Sequence, residues 1–551
     1  MNRFWVCLIF FATWTTTVFA QDVEWLAQAG GSKYDSGMDI SIDKDFNSLV
    51  VGIFSDTLQL EGVELASLGG TDLFIAKYDA TGVLQWANQA GSKANDEAYG
   101  VDTDSDGNVY ITGYFRDTID FEGNKLYAAD LFDDDIFIAK YEADGTLAWV
   151  KQLGGTGSDI GYGIAVDAAG NAYVTGRFSE RFTAPIGDNG MPFTFISKGT
   201  FDIFVAKYDT NGQRMWIRQY GGDHYDSAQA IVLDNDNHYY LTGFFNGTTK
   251  LGENSLMSNG DFDLFAAKFD ESGTVLWANN AGGAYTDLGV AMDIDASGNA
   301  YITGSYEDTA YFGEETITSV GSTDFYVAKL HTDGTFAWVR QGGGNDSDIG
   351  LGIAADANGN SHITGVFSEM FVIEEDTLEA NSSNTGAIFL LQYNSEGVLQ
   401  WTTNTTGGSY DEGTAIVIDE NSNCYLTGSF SRSINIGGNI LNSNGSSDLF
   451  VAKIKGNITD IEEAISGHSA FLQIYPNPVS RQLFIEFEAE TSDVYSLQLS
   501  DYAGRVVFEQ FFENTQGTYE QVVDVSSFAK GLYLLQMKSN KMSITKKLMV
   551  N

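Results

Sequence analysis

The chain has 551 residues, of which 43% are hydrophobic and 13% aromatic, with 61 glycines but only 4 prolines. This composition is typical of short strands joined by tight turns around a packed core, and it argues against a disordered linker protein. The formal net charge of −46 repels phosphate groups and anionic lipid headgroups, so we expect no nucleic-acid partner.

Residues 1–20 have the pattern of a secretory signal peptide. Arg3 gives a positive start, an apolar run follows, and Ala20 supplies the small residue before an expected cleavage site at Gln21. The run is too short and too often interrupted by threonine for a membrane span, and no later segment is apolar enough. We therefore expect an exported protein without a membrane span.

A repeat of about 61 residues runs along the next part of the chain. A tryptophan and a strand-ending glycine recur with the same six spacings of 61, 63, 67, 61, 61 and 63 residues. The segment DLFIAKYD, which starts at Asp72, is a third marker, and the sixth repeat departs from it at Ala387 and Gln392. The two series are Trp25, Trp86, Trp149, Trp216, Trp277, Trp338 and Trp401, and Gly52, Gly113, Gly176, Gly243, Gly304, Gly365 and Gly428.

Each repeat contains four strand candidates separated by Asp, Asn and Gly turns. In the third repeat they are residues 164–166, 171–176, 203–208 and 215–218. Seven such units predict an all-β fold, a seven-bladed β-propeller over residues 21–456. The propeller begins at a fourth strand and ends after a third one, so the segment around Trp25 is expected to complete the seventh blade and close the ring.

The repeat resembles the SBBP β-propeller repeat in three successive motifs. They are N-x-Y-x-T-G-x-F, then G-x-x-D-x-F-x-A-K-Y-D, then G-x-x-x-W. The resemblance implies the propeller fold and an exported bacterial protein. It implies little about activity, because most members of the family are uncharacterised.

The composition changes after the propeller. Residues 457–470 lose the repeat motif and are predicted to be a linker. Residues 471–551 alternate apolar strands with turn residues, which predicts a small β-sandwich with an immunoglobulin-like architecture.

The same C-terminal segment resembles the type A sorting domain of the type IX secretion system of Bacteroidetes. The motifs P-N-P from Pro476, D-x-x-G-R from Asp501, G-x-Y from Gly531 and K-K-L from Lys546 occur in that order. The resemblance implies passage through the periplasm and across the outer membrane, with the secretion machinery as a partner. It also implies removal of the domain by a sortase-like peptidase, followed by release or by attachment to the cell surface.

One loop offers a candidate metal site. Asp102, Asp104 and Asp106 alternate in the pattern D-x-D-x-D-G, as in calcium loops that wrap a hard cation with oxygens. The twelfth position of that pattern is Gly113, where a bidentate glutamate would be expected. The alternative is a plain hairpin turn, because the same place in other repeats holds fewer acids.

A second acidic series has one member in each repeat, just before the first strand. First strands line the channel of a propeller, so these residues could form an acidic ring at its mouth. The alternative, which we favour, is that each one caps its own turn by accepting backbone N–H groups. The series is Asp35, Asp96, Asp159, Asp226, Asp287, Asp348 and Asp411.

The sequence contains no familiar catalytic motif such as G-x-S-x-G or H-E-x-x-H. We therefore predict a non-catalytic binding or adhesion scaffold for an extracellular glycan or protein. Two alternatives stay open: a secreted glycan-degrading lyase or hydrolase, and a structural component of the surface or matrix.

Overall fold

The computed structural model describes residues 23–130, 132–184, 193–380, 386–407, 410–456, 472–475, 479, 481–501, 505–526, 528, 530–538 and 543–550. These residues form strands and turns, and no helix occurs among them. The prediction of an all-β propeller fold is confirmed. The predicted signal peptide and the predicted linker lie outside the described residues. The chain divides into two compact units, residues 1–456 and 457–551.

Strand pairing groups the described part of residues 23–456 into seven antiparallel units of four main strands. The first strand, β1, is Val23–Ala29. The first unit contains β2 (Asp35–Ile42), β3 (Ser48–Leu60), β4 (Val63–Tyr78) and β5 (Leu84–Ala90). The second contains β6 (Asp96–Thr103), β7 (Val109–Arg116), β8 (Thr118–Phe121), β9 (Asn124–Tyr127), β10 (Asp134–Tyr141) and β11 (Leu147–Thr156). The third contains β12 (Ile160–Val166), β13 (Ala172–Phe178), β14 (Arg181–Thr183), β15 (Thr194–Ile196), β16 (Asp202–Tyr208) and β17 (Arg214–Tyr220).

The remaining units continue the same order. The fourth contains β18 (Asp226–Leu233), β19 (Tyr239–Leu251), β20 (Asn254–Phe269) and β21 (Val275–Gly283). The fifth contains β22 (Leu288–Ile294), β23 (Ala300–Phe312), β24 (Glu315–Leu330) and β25 (Phe336–Gly343). The sixth contains β26 (Ile349–Ala355), β27 (Ser361–Ser368), β28 (Met370–Ile373), β29 (Asp376–Glu379), β30 (Gly386–Tyr393) and β31 (Leu399–Asn404). β32 (Thr406–Gly407) continues the fourth strand of the sixth unit, and the seventh unit contains β33 (Asp411–Ile418), β34 (Cys424–Phe430), β35 (Ser433–Ile436), β36 (Asn439–Asn442) and β37 (Asp448–Ile454).

The first strands of the units form the inner ring. Each lies against the first strands of its two neighbours, in the order β2, β6, β12, β18, β22, β26 and β33, and β33 lies against β2 again. They enclose a central channel. The third strands lie deepest in the sheets: every residue of β16 is buried, as expected for a strand covered on both faces by neighbouring sheets.

The N-terminal strand completes the seventh unit. β1 pairs antiparallel with β37, with Trp25 opposite Lys453 and Ala29 opposite Leu449, and the sheet order is β1, β37, β34 and β33. The two ends of the propeller chain therefore share one sheet, as the phase of the repeat predicts.

Neighbouring units are also joined by backbone hydrogen bonds at the end of each fourth strand. There the chain pairs with the hairpin that links the second and third strands of the next unit. In the fourth unit, Gly282 and Gly283 of β21 pair with Tyr311 and Ala310 of β23. We call these contacts seams, and one occurs at each of the seven junctions between described units.

A lysine in the third strand of most units is buried with an acidic partner from the turn between the first two strands. Lys207 is the most buried: its Nζ lies 3.3 Å from Asp167 and 2.6 Å from Glu271, and its side chain is 1% exposed. In the sixth unit, Gln392 takes this position and its Nε2 lies 2.8 Å from His362 Nε2.

The C-terminal unit contains β38 (Leu472–Tyr475), β39 (Gln482–Asp501), β40 (Val506–Asp524), β41 (Gly531–Lys538) and β42 (Ser543–Val550). The first half of β39 pairs with β38 and its second half with β41, while β40 follows most of its length. Buried apolar side chains such as Leu483, Leu497 and Leu535 form its core. The two-sheet sandwich stays a prediction, and residues 476–478 of the P-N-P motif lie outside the described residues.

Candidate functional site at the channel mouth

The seven aspartates before the first strands are turn caps. Asp348 is typical: its Oδ2 accepts the N–H of Gly344 at 2.7 Å, and its Oδ1 accepts the N–H of Ser368 at 3.1 Å. All seven are at most 1% exposed. They tie the start of each first strand to the turn before it and to the end of the second strand, and they are too buried to form an open acidic ring.

The three aspartates of the candidate calcium loop make separate contacts. Asp102 lines the channel, and its Oδ2 accepts the N–H of Val166 in the next unit at 2.8 Å. Asp104 accepts the backbone N–H groups of Asp106 and Asn108, both at 3.0 Å. Asp106 is exposed. Each carboxylate therefore has its own place in the loop or the channel, and calcium binding here stays a prediction.

The turn of the fourth unit brings three possible ligands together. Side-chain atoms of Asp234, Asp236 and His238 lie within 4.8 Å of one another. His238 occupies the position of the turn asparagine in other units, and its Nδ1 lies 2.9 Å from Asp234 Oδ2. Lys268 Nζ lies 3.0 Å from the same oxygen. The lysine neutralises that carboxylate, so the group is a local variant of the structural turn.

At the end of the channel where the first strands begin, tyrosines are paired with glutamates. Tyr99 donates its hydroxyl to Glu97 Oε2 at 2.7 Å, and Tyr410 donates its hydroxyl to Glu412. Tyr34 lies between the two pairs and interacts electrostatically with both glutamates. Burial, and then the charge of Glu97, raises the pKa of Tyr99. The tyrosine therefore keeps its proton and remains a hydrogen-bond donor.

The next two units continue this surface with a caged arginine. The Arg177 guanidinium lies 4.5 Å from the ring centre of Phe201, 5.4 Å from that of Tyr225 and 5.6 Å from that of Tyr162. Its Nε atom is buried without a hydrogen-bond partner. Stacking on several rings fixes the planar guanidinium, so its orientation is set before any ligand arrives.

Ring and cation–π contacts connect these residues from Tyr99 to Phe262, and the electrostatic interactions of Tyr34 connect Glu97 with Glu412. Tyr99 lies 5.4 Å from Tyr162 and 6.0 Å from Tyr114, and Tyr225 lies 5.8 Å from Phe244 between ring centres. We call the set the mouth arc: Tyr410, Glu412, Tyr34, Glu97, Tyr99, Tyr114, Tyr162, Arg177, Phe201, Tyr225, Phe244 and Phe262.

The mouth arc breaks the symmetry of the repeat. Three residues after the turn-capping aspartate, the second and third units carry Tyr99 and Tyr162, whereas the fifth and sixth carry Val290 and Leu351. The position of Arg177 is held by Val366 in the sixth unit. Most residues that maintain the fold recur at equivalent places in the units, so side chains that differ around one opening are candidates for a specific role.

Two protein-family models match the chain. Residues 473–551 match the secretion system C-terminal sorting domain, and residues 85–114 and 148–177 match the SBBP β-propeller repeat. The chain carries SBBP propeller repeats and a type IX sorting domain. Both resemblances seen in the sequence are thereby confirmed.

Curated relatives are distant. An uncharacterized WD repeat-containing protein, L264, of Acanthamoeba polyphaga mimivirus is 22% identical over 74% of this chain and 36% of its own length. The regulatory protein FlaEY of Caulobacter vibrioides is 27% identical over 37% of this chain and 22% of its own length. The chain thus spans only about a third and a fifth of these two relatives.

Solved structures show only weak similarity. A glycoside hydrolase family 43 arabinoxylan arabinofuranohydrolase from Bacillus subtilis aligns over 82% of this chain and 93% of its own, with 11% identity and a TM-score of 0.26. A DUF4221 member from Bacteroides vulgatus aligns over 66% of this chain and 98% of its own, with 12% identity and a TM-score of 0.28. Scores this low carry no argument about activity.

The sorting domain defines where the protein acts. It marks an exported protein that is secreted or held at the outer-membrane surface, and it implies contact with the type IX secretion machinery. The predicted localisation is confirmed. In the part of the chain that the structure describes, no helix has the length and apolar character needed to cross a membrane.

Proposed function

We propose that the exported propeller is a non-catalytic binding scaffold, and that its ligand is an extracellular glycan held by the mouth arc. The observation that carries the proposal is the asymmetry of the arc: aromatic rings, two Tyr–Glu pairs and one caged arginine stand at positions that are aliphatic or small in the fifth and sixth units.

The chemistry of the arc suits a sugar. Aromatic faces pack against the apolar C–H faces of a sugar ring, while a few fixed polar groups hold its hydroxyls in one orientation. Glu97 and Glu412 offer acceptor oxygens, and Arg177 offers donors in a fixed fork. Both glutamates already accept a tyrosine hydroxyl, so little side-chain freedom is lost on binding.

A glycan array probed with the purified full chain tests the proposal. Tyr34 and Tyr410 are 43% and 50% exposed, so replacing each with alanine removes ring surface without opening a core. We expect Tyr34→Ala or Tyr410→Ala to weaken binding about tenfold. Tyr311, which is 53% exposed and lies outside the arc, supplies the matched control Tyr311→Ala.

Three results would contradict the proposal. The first is an array without any bound glycan, and the second is equal weakening by Tyr311→Ala. The third is release of shortened sugars from a bound glycan, which would favour the alternative of a glycan-degrading enzyme.

A further inference from the structure

Aspartates stand in pairs at six of the seven junctions between described units. One member lies in the third strand of a unit, and the other is the turn-capping aspartate of the next unit. At the fourth junction, a methyl group added to Gly282 would lie 2.7 Å from Asp263 Oδ1 and 2.9 Å from Asp287 Oδ2, so the two carboxylates face the same point. The junction pairs are Asp72 with Asp96, Asp135 with Asp159, Asp202 with Asp226, Asp263 with Asp287, Asp324 with Asp348, and Asp448 with Asp35.

These carboxyl groups are sealed from water. All twelve members are at most 1% exposed. On both sides of the second unit, one oxygen of each carboxylate is buried without a hydrogen-bond donor: Asp72 Oδ1 with Asp96 Oδ2, and Asp135 Oδ1 with Asp159 Oδ2. Burying two negatively charged carboxylates whose oxygens lack hydrogen-bond donors costs more free energy than protonating one of them.

The other oxygens of a pair accept backbone N–H groups. Asp72 Oδ2 accepts from Leu68 at 2.8 Å, and Asp96 Oδ1 accepts from Arg116 at 3.2 Å. Ser92 lies near Asp96 and opposes the rise in the pKa of its carboxyl group. Such donors stabilise one remaining negative charge, whereas a calcium ion would need six to eight oxygen ligands. At the two junctions beside the second unit, a proton held between the two carboxyl groups would satisfy both unpartnered oxygens and remove one charge.

The charged groups around the pairs do not supply a counter-charge in general. Lys198 acts on Asp202 and Asp226, and the Arg116 guanidinium is bonded to Asp134. The remaining charged groups that act on the pairs are acidic: Asp56, Asp133, Glu307 and Asp346.

We infer that the junction pairs bind one proton between their two carboxyl groups at mildly acidic pH, so that the closed ring takes up protons on folding and loses stability as the pH rises. This inference is independent of the ligand proposed for the mouth arc. The proton comes from solvent, forms an O–H···O⁻ bond within the pair, and returns to solvent at higher pH.

The direction of the pKa shifts of the paired aspartates decides whether the stability of the ring rises or falls with pH. Burial raises the pKa of Asp72 to about 6 and that of Asp96 to about 7, above the value near 4 of an unfolded aspartate. The folded ring therefore holds more protons than the unfolded chain between about pH 4 and pH 7, and stability falls as the pH rises through this window.

The sixth junction is a natural exception. Ala387 replaces the first member, so Asp411 stands there alone, and burial raises its pKa to about 8. The substitution Ala387→Asp would complete a seventh pair.

The test is thermal unfolding of the full chain at about pH 5 and about pH 8.5. We expect wild type to melt at a lower temperature at the higher pH. Asp96→Asn supplies an amide that donates to Asp72 as a protonated acid would. It should therefore raise the melting temperature at the higher pH and reduce the difference between the two melting temperatures. Ala387→Asp should increase that difference. Asp45→Asn, an exposed turn residue, is the control and should leave it unchanged.

Infrared absorption gives a direct readout that does not depend on stability. Wild type at about pH 5.5 should show a carbonyl band from protonated carboxylic acids, and Asp96→Asn should weaken it. Absence of that band, or equal melting temperatures at both pH values, would overturn the inference. So would stabilisation by added calcium that Asp96→Asn abolishes, because a cation would then occupy the pair.

Discussion

Trp25 donates its indole N–H to the backbone carbonyl of Ala80 at 3.1 Å, across 55 residues of chain. Trp25 lies in β1, which completes the seventh unit, and Ala80 lies in the turn between β4 and β5 of the first. The same contact recurs around the ring, for example from Trp149 to Thr210 at 3.1 Å. At Trp25 it helps to close the circle between the first and last units.

The Trp25 contact should contribute more to stability than the equivalent tryptophan contacts elsewhere in the ring. We expect Trp25→Ala to lower the free energy of unfolding by about 3 kcal/mol, and by more than Trp149→Ala. Both substitutions remove a similar contact, but only the first loosens the strand that joins the two ends of the ring. Deleting residues 21–30 should destabilise the whole propeller. Urea unfolding of the full chain measures these free energies, and equal losses of stability for Trp25→Ala and Trp149→Ala would contradict a special role for the Trp25 contact.

Alanine substitutions at two glycines with similar backbone angles can distinguish the cost of backbone strain from the cost of disturbed packing. Gly145 has a φ of 88° and Gly123 a φ of 92°. A methyl group on Gly145 would lie 2.8 Å from the Trp86 ring, whereas one on Gly123 would meet nothing within 4 Å. Either alanine costs about 1 kcal/mol of backbone strain. We expect Gly145→Ala to cost about 2 kcal/mol more in urea unfolding. Equal costs would mean that the ring moves aside freely.

The buried lysine should be far more sensitive to substitution than an exposed one. Lys207→Gln leaves Asp167 buried without its cation, which typically costs about 3 kcal/mol or more. Lys125→Gln is the control, because Lys125 is 51% exposed and lies 3.6 Å from Asp120, a type of pair worth less than about 1 kcal/mol. Similar losses in urea unfolding would show that the Lys207 pair adds no particular stability.

Calcium binding at the loop of the second unit can be tested by chelation. If Asp102, Asp104 and Asp106 hold the ion, calcium should raise the melting temperature, a chelator should reverse the rise, and Asp106→Asn should abolish it. Asp236→Asn changes the matching position in the fourth unit and should have no effect. A melting curve that a chelator leaves unchanged would remove the hypothesis.

Most of the fold could be predicted from the local sequence pattern and from the phase of the repeat. In the third unit, strands predicted at residues 171–176, 203–208 and 215–218 are found at Ala172–Phe178, Asp202–Tyr208 and Arg214–Tyr220. Strand bounds follow from alternation and turn residues, which are local properties. The pairing of Trp25 with Lys453 was also predictable, because the chain begins with a lone fourth strand and its last repeat ends after a third strand.

The mouth arc could not be found in the same way. Self-comparison finds what recurs, and the arc consists of residues that do not recur, such as Arg177 where other units have Tyr114, Phe244 or Val366. A search for departures at fixed offsets from the aspartate series would have found it. The junction pairs were missed for another reason. Asp72 and Asp96 are 24 residues apart, and their contact depends on how neighbouring sheets pack.

The seams affect how copies of the exported protein can associate with one another. A fully bare fourth strand would offer a row of unpaired N–H and C=O groups, which another copy could extend into a shared sheet. Because the end of each such strand is already occupied by the hairpin of its neighbour, a second molecule has little free backbone there to join. The seams therefore leave less of each outer strand open to edge-to-edge pairing between two copies of the exported chain.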